Sequence, residues 1–325
     1  MVFNELLRQI AGAVAAVCLA TGVLAQPAYP TKPVKIVVPY SAGGPADIYA
    51  RFIGDRLQKT LGQPFVIENR PGAGAIIGTD VVAKSSPDGY TLLMMSNTHT
   101  VNESLFTKKP YSLMRDLAPI SPINYSDLLL VVYPSVPANS LKELIALANS
   151  KPGALNYASS GPGTPYHMAG ELFKAMAGID VVHVPHKGSA EARTSVLAGD
   201  VQIMFDAITT MAPLAQAGKV RAIATSGKTR SSITPGVPTL DEAGLPGYDA
   251  VIWLGMMAPT ATPKPIVDGL NSEIQKIANS PDVKEMWAKQ GAVPMRMAPA
   301  EFGKFMEQDI QKWAKVVKFA GAKVD

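Results

Sequence analysis

The sequence predicts an α/β protein with two doubly wound α/β lobes around a ligand cleft. Three observations support this fold class. Short apolar runs alternate with amphipathic segments of helical length, and several of these runs end in polar, glycine-rich loops. The chain after residue 25 also has about 300 residues, which exceeds one comfortable hydrophobic core.

The first lobe is predicted to begin with alternating strands and helices. A continuous apolar run suits a strand that is buried on both faces of a parallel sheet. Pro45 and Gly62 are typical of the first turn and the end of a helix. We expect Ile48, Phe52 and Leu57 on the apolar face of this helix. The pattern predicts strands at 34–39, 65–68 and 90–95 and helices at 45–61 and 75–84.

The second lobe is predicted to repeat this alternation. Ser140 is a typical helix cap, and Gly178 and Gly199 follow the last turns of two further helices. The pattern predicts strands at 128–133, 156–158, 181–184, 203–205 and 220–225 and helices at 140–148, 165–177 and 190–198.

The C-terminal part is predicted to return to the first lobe, because a helical tail seldom forms a domain alone. Residues 232–246 are rich in proline, glycine and threonine, which is typical of a connector. An apolar run and three helices follow, at 250–257, 265–278, 281–290 and 299–320. The last helix carries core residues at helical spacing, namely Phe302, Phe305, Ile310, Trp313 and Val317. This organisation predicts lobe 1 at 26–125 and 226–325 and lobe 2 at 126–225.

The N-terminus has the pattern of a secretory signal peptide, which predicts export. Arg8 gives a basic start, residues 10–20 are almost continuously apolar, and small residues precede an expected cleavage site before Gln26. The apolar run is short for a transmembrane span. A retained membrane anchor and a lipidated Cys18 are the alternatives.

Composition excludes several classes of function. Cys18 is the single cysteine, so the chain after it has no disulfide, thiolate metal site or cysteine nucleophile. The net charge of +4 is spread along the chain, so we expect no nucleic-acid partner. His183 and His186 face opposite sides of a strand, and we expect no metal. The glycines at 72–78 depart from the dinucleotide-binding spacing, so we expect no cofactor. Separately, we expect the protein to be a monomer.

Three polar, glycine-rich loops follow predicted strands and precede predicted helices, at 40–47, 159–164 and 186–189. A helix N-terminus leaves N–H groups unpaired and carries a partial positive charge, and glycine lets a ligand approach it closely. Several such ends around one cavity form an anion site, most simply a carboxylate site. The candidate ligand-binding residues are Tyr40, Ser41, Gly43, Gly44, Asp47, Ser159, Ser160, Gly163, Thr164, His167, Lys187, Gly188, Ser189 and Asp206.

Some of these residues have a second interpretation. Asp47 either caps the first loop or braces it, Lys187 either supplies a cation or is simply solvated, and Asp206 either accepts a ligand group or holds a loop. A secreted serine hydrolase that uses Ser159 or Ser160 with His167 on a small anionic ester is the alternative function. No Gly-x-Ser-x-Gly frame surrounds either serine, so we expect no catalytic residue and no enzyme activity.

Nine segments taken together resemble the periplasmic solute-binding proteins of the tripartite tricarboxylate transporter system, the Bug or TctC family. The similarity includes Gly43, Gly44 and Asp47 and runs in order along the chain after residue 25. The segments are 35–40, 62–64, 68–74, 87–92, 155–160, 170–173, 183–185, 204–206 and 242–247.

The resemblance implies a type II periplasmic binding protein that closes on a small di-, tri- or aromatic carboxylate and delivers it to a membrane permease. It adds Asn97 and Thr98 to the jaw formed by the first loop. The sequence departs from the usual family pattern inside the expected pocket, at Pro45, Ala46, Pro165, Tyr166 and His186. Tyr40 and Tyr166 either flank an aromatic acid or serve as packing residues.

Overall fold

A mixed ten-stranded sheet organises the computed structural model, which describes residues 29–322. The signal peptide predicted at 1–25 lies outside the described residues. The strands are β1 (Val34–Val38), β2 (Phe65–Asn69), β3 (Thr91–Ser96), β4 (Leu117–Val132), β5 (Asn156–Ser159), β6 (Val182–Pro185), β7 (Ile203–Ala207), β8 (Arg221–Thr225), β9 (Val251–Pro259) and β10 (Ala292–Pro294). Their order is β2-β1-β3-β9-β4-β7-β5-β6, and β8 and β10 also pair with β4.

The helices of the described residues flank this sheet. They are α1 (Pro45–Leu61), α2 (Ile76–Ala83), α3 (Thr98–Leu105), α4 (Leu113–Asp116), α5 (Leu141–Ser150), α6 (Pro165–Ala177), α7 (Ser189–Ala198), α8 (Ile208–Gln216), α9 (Lys264–Ala278), α10 (Pro281–Ala288) and α11 (Pro299–Ala320). None of them combines the length and apolar character that a bilayer crossing needs within residues 29–322.

Each end of the sheet is a parallel βαβ layer. Strands β2, β1 and β3 are parallel at one end, and β7, β5 and β6 are parallel at the other. Because the carboxyl ends of parallel strands lie at one edge, each layer presents its strand-to-helix loops together. The alternation predicted from the sequence is therefore confirmed, and the antiparallel strands β9 and β4 connect the two layers.

Strand β4 runs through both halves of the sheet. The first half contains β2, β1, β3 and β9, and the second half contains β7, β5 and β6. It pairs with β9 from Leu117 to Asp127 and with β7 from Leu128 to Val132. The sequence predicted only the second part, since prolines are rare in central strands. The structure accommodates Pro119 and Pro122 with register shifts in the β4–β9 pairing beside them.

One prediction about the apolar face of helix α1 is wrong. Tyr49, Ile53 and Leu57 recur at intervals of four residues and are buried against the sheet. Ile48 lies on the flank of this row and is 46% exposed. Phe52 shares that flank, where its ring packs 5.7 Å from Trp287.

The C-terminal helices pack mainly on the first half of the sheet, and α11 also contacts α6. Helix α9 packs on β4 and α1, and α11 packs on α3 and β4. Phe302 and Trp313 of α11 are fully buried, and Phe302 packs edge-on against Trp253 of β9.

Candidate functional site

The N-terminal ends of three helices line one small cavity between the two halves of the sheet. Helix α1 contributes Pro45 and Ala46, α6 contributes Pro165 and Tyr166, and α7 contributes Ser189. The other lining residues are Tyr40, Ser41, Gly44, Ser96, Ser160, Ile252 and Leu254. We call this space the inner cavity. About 20 Å³ of it is open to the centre of a water molecule, which is room for about one ordered water.

The first loop is braced by Asp47. The Gly43 N–H donates to Asp47 Oδ2 at 3.0 Å, and Arg51 Nε donates to the same oxygen at 3.2 Å. Burial alone would raise the pKa of Asp47, but the Arg51 guanidinium and the Gly43 N–H hold it below the usual value. Asp47 therefore shapes the loop as an ionised carboxylate and does not line the inner cavity.

The end of helix α1 keeps free donors. Gly44 is its N-cap and makes no side-chain cap hydrogen bond. Within residues 29–322, the N–H groups of Gly44 and Ala46 have no hydrogen-bond acceptor. Both residues line the inner cavity, so the positive end of this helix faces it.

The second loop places Ser160 in the lining of the inner cavity, whereas Gly163, Thr164 and His167 do not line it. Thr164 caps α6: its Oγ1 accepts from the His167 N–H at 3.4 Å and donates to the Gly161 carbonyl at 2.7 Å. The Gly163 N–H donates to His167 Nδ1 at 3.1 Å. These contacts form a closed network, so Gly163, Thr164 and His167 fix the loop that places Ser160 in the cavity wall.

Two buried histidines stack beneath this loop. The rings of His167 and His183 lie 4.2 Å apart, and His183 Nε2 is 2.6 Å from Ser159 Oγ. Burial lowers the pKa of His167 to about 4. Burial is also the main reason that the pKa of His183 falls to about 3, and repulsion from a protonated His167 is the second reason. Both imidazoles are neutral at pH 7, and His167 Nδ1 can therefore accept the Gly163 N–H.

The third loop meets the first loop directly. Ser41 Oγ donates to the Lys187 carbonyl at 3.2 Å. A Cβ added to Gly188 would lie 2.7 Å from Ser41 Cβ, and one added to Gly44 would lie 2.7 Å from Ser189 Oγ. The absence of a side chain at Gly44 and Gly188 is what lets the N-termini of α1 and α7 approach each other.

Asn97 and Thr98 lie one layer behind the inner cavity. Ser96 Oγ donates to Thr98 Oγ1 at 3.0 Å and lies 2.7 Å from the Tyr40 hydroxyl. Asn97 Nδ2 donates to the Val251 carbonyl at 2.9 Å and so ties this loop to β9. Burial raises the pKa of Tyr40 to about 12, so its hydroxyl stays protonated beside the cavity.

Asp206 also lies outside the cavity wall. It is fully buried, and Arg193 Nε donates to its Oδ2 at 2.8 Å. Its Oδ1 accepts the Ala207 N–H at 2.8 Å. Asp206 is thus neutralised within its own half, and Arg193 is the partner that the sequence interpretation did not include.

A family model described as "Tripartite tricarboxylate transporter family receptor" matches residues 49–322 of the chain. The chain belongs to this family. Protein BugT of Bordetella pertussis is 37% identical over 318 residues, covering 96% of this chain and 98% of BugT. The resemblance drawn from the sequence is thereby confirmed.

Solved structures agree with this assignment. The R. palustris protein Rpa4515 with adipate is 35% identical with a TM-score of 0.88, covering 91% of this chain and 100% of that one. Periplasmic binding protein BugD is 33% identical, with a TM-score of 0.87 over 91% and 99% of the two chains. MatC from Rhodopseudomonas palustris with bound malate is 33% identical, with a TM-score of 0.85 over 89% and 100%. The fold class is confirmed, and the chain is a Bug/TctC-type periplasmic solute-binding protein whose homologues are not enzymes.

The inner cavity also contains residues that the sequence interpretation missed. Ser96, Ile252 and Leu254 line it, the last two from alternate positions of β9. The sequence showed 250–257 as an apolar run but assigned no strand to it. Its pairing with β3 at Leu254 and with β4 at Ile252, both more than 100 residues earlier in the chain, brings these side chains to the cavity.

The serine–histidine pairs of the hydrolase alternative do not form. His167 Nδ1 accepts from the Gly163 N–H, and within residues 29–322 no imidazole bonds to Ser160. Ser159 does contact an imidazole, that of His183, but Ser159 is fully buried and its Oγ also accepts the Gly161 N–H at 3.1 Å. Neither serine has the exposed, base-activated hydroxyl that acyl transfer requires.

Proposed function

We propose that the protein is an exported receptor that captures a small organic carboxylate in the periplasm and delivers it to a permease of the tripartite tricarboxylate transporter system. The convergence of three helix N-termini on one cavity is the observation that carries this proposal. Residues 1–25 act as the export signal in this proposal, and the receptor acts as a monomer.

Backbone donors and hydroxyls make the inner cavity suited to a carboxylate. Each helix N-terminus contributes the equivalent of about half a positive charge, and the favourable interaction with an anion is about 0.3–2 kcal/mol per helix. Within residues 29–322, no lysine, arginine or histidine lines the inner cavity. Recognition by N–H groups and the hydroxyls of Ser160 and Ser189 therefore supports carboxylate binding without a direct ion pair.

Two solved relatives support the ligand class. Rpa4515 is described with adipate and MatC with bound malate, and both ligands carry carboxylates. The chain matches each of them along nearly its whole described length. We propose that the same cleft takes a carboxylate here.

We also propose that the two halves of the sheet are lobes that close on the ligand. Lobe 1 comprises residues 26–125 and 226–325, and lobe 2 comprises residues 126–225. The connector at 232–246 contacts lobe 2, since the Leu240 N–H donates to the Thr225 carbonyl at 2.8 Å. So does Tyr248 just after it, whose hydroxyl donates to the Ala169 carbonyl at 2.7 Å. In this arrangement the Ser41–Lys187 hydrogen bond joins the lobes in the closed form, which the permease would recognise.

Isothermal titration calorimetry with mono-, di- and tricarboxylates tests the proposal on residues 26–325. We expect saturable binding of at least one acid and no binding of its methyl ester, because the ester lacks the negative charge. A folded protein that binds no acid in the panel, or that binds ester and acid equally, contradicts the proposal.

A further inference from the structure

A second cavity adjoins the inner cavity. This outer chamber has a volume of about 300 Å³, and Tyr40 and Ser160 line both spaces. The inner cavity has room for about one water-sized group and therefore for little more than a carboxylate head. The outer chamber is the adjoining space with room for the rest of a longer acid, beyond Tyr40 and Ser160.

The second half of the sheet gives the outer chamber a basic wall. His186 and Lys187 line it, and no aspartate or glutamate among residues 29–322 does so. Glu191 is the nearest acidic group on this segment, and its Oε2 accepts the backbone N–H of Lys187 at 3.2 Å. Within the described chain the Lys187 ammonium forms no salt bridge, so it is available to a ligand.

The opposite wall is a rigidly held loop. Ala73 and Ala75 line the chamber with φ angles of 46° and 74°, which are unfavourable for residues that carry a Cβ. Such a conformation persists only where its surroundings fix it. Asn102 Nδ2 supplies one such restraint by donating to the Gly74 carbonyl at 2.8 Å.

Contact between the halves sets the position of Lys187. Its carbonyl accepts from Ser41 Oγ, which belongs to the opposite half of the sheet. The basic wall and the inner cavity therefore come together in the same closed arrangement. A ligand with one anionic group in each space would be held at both ends.

We infer that the ligand is a linear dicarboxylate, with one carboxylate in the inner cavity and the other in the outer chamber beside Lys187 and His186. This inference rests on the proposed function and names the ligand class of the same site. Lys187 is a specificity-determining residue for the second carboxylate, because an ammonium–carboxylate pair has no counterpart when the ligand ends in a methyl group.

The test compares α,ω-dicarboxylates of four to eight carbons with the monocarboxylates of equal length by calorimetry. The proteins are wild type, Lys187→Met and the matched control Lys142→Met, which removes the same charge from the exposed face of α5. We expect wild type to prefer a dicarboxylate over its monocarboxylate. Lys187→Met should weaken the dicarboxylate about tenfold and leave the monocarboxylate unchanged, and Lys142→Met should change neither.

Three outcomes overturn the inference. The first is a wild type that binds the monocarboxylate as tightly as the dicarboxylate. The second is an equal loss for both acids in Lys187→Met, and the third is an equal loss in the two lysine variants. In each of these the protein still binds a carboxylate, so the proposed function stands, whereas a folded wild type that binds no acid overturns both.

Discussion

Asp47 and Asp206 show how an acidic side chain can support an anion site without facing the anion. Asp47 is held by Arg51 and the Gly43 N–H, and Asp206 is held by Arg193 and the Ala207 N–H. Each carboxylate is thus compensated inside its own half of the sheet. The sequence identified Asp47 as a residue of the first loop and Asp206 as the end of a strand, but Arg193, the partner of Asp206, depends on the fold.

Replacing Gly188 with alanine tests the close approach of the two halves. The added Cβ would clash with Ser41 Cβ in the closed form, and overpacking of this kind costs about 1–3 kcal/mol. Binding of the preferred acid should weaken about tenfold or more by calorimetry. The melting temperature should hardly change, because Gly188 has an extended backbone (φ of −174°) that alanine adopts readily.

Gly236→Ala is the matched control for Gly188→Ala. Gly236 has open space around its Cβ position, so the same substitution there should alter neither binding nor melting temperature. Unchanged affinity in Gly188→Ala would show that Gly188 and Ser41 do not need to meet for binding.

The neutral state of His167 predicts a loss of stability in acid. Its pKa of about 4 in the folded protein lies below the ordinary value of 6.5, so the unfolded chain binds the proton first as pH falls. The stabilisation is complete above about pH 6.5 and is lost progressively down to about pH 4. Lowering the pH from 7 to 4.5 should therefore reduce the free energy of unfolding by about 2–3 kcal/mol through this one group.

Urea unfolding at the two pH values measures this effect. His167→Asn keeps a side-chain acceptor near the Gly163 N–H but cannot take up a proton, so its stability should fall less than that of wild type. Equal losses in the two proteins would mean that His167 is not held neutral in the fold.

At the scale of elements, local signals predicted helix ends better than strand pairing. Helices α1, α6 and α11 have the predicted bounds, since each begins at a proline and is followed by glycine in the left-handed conformation. The first half of β4 and the helices α3 and α8 were not predicted. Their prolines and buried polar residues depend on neighbours that are distant in the sequence.

The site divides in the same way. Ser41, Gly44, Ser160 and Ser189 were predicted because loops between parallel strands and helices meet at one edge of a sheet. Ile252 reaches the cavity only through antiparallel pairing, which no local pattern specifies.

The cap of helix α6 can be separated from helix stability in general. Thr164→Ala and Ser140→Ala each remove an N-cap side chain, and each should cost about 1 kcal/mol of unfolding free energy. Only Thr164→Ala should weaken carboxylate binding, because Thr164 also holds the Gly161 carbonyl and its helix lines the inner cavity. The two variants are compared by urea unfolding and calorimetry, and equal affinities would contradict this role.

In the whole molecule, the proposed receptor needs both ends of the sheet to supply hydrogen-bond donors to one bound carboxylate. The ends are joined by β4 and β9, so the contact between Ser41 and Lys187 couples loops more than 140 residues apart. A crystal structure with the preferred carboxylate tests this claim most directly. We expect carboxylate oxygens within about 3.2 Å of N–H groups or hydroxyls from both halves, directly or through one water. A carboxylate held by one half alone, or by groups outside the inner cavity, would contradict this claim.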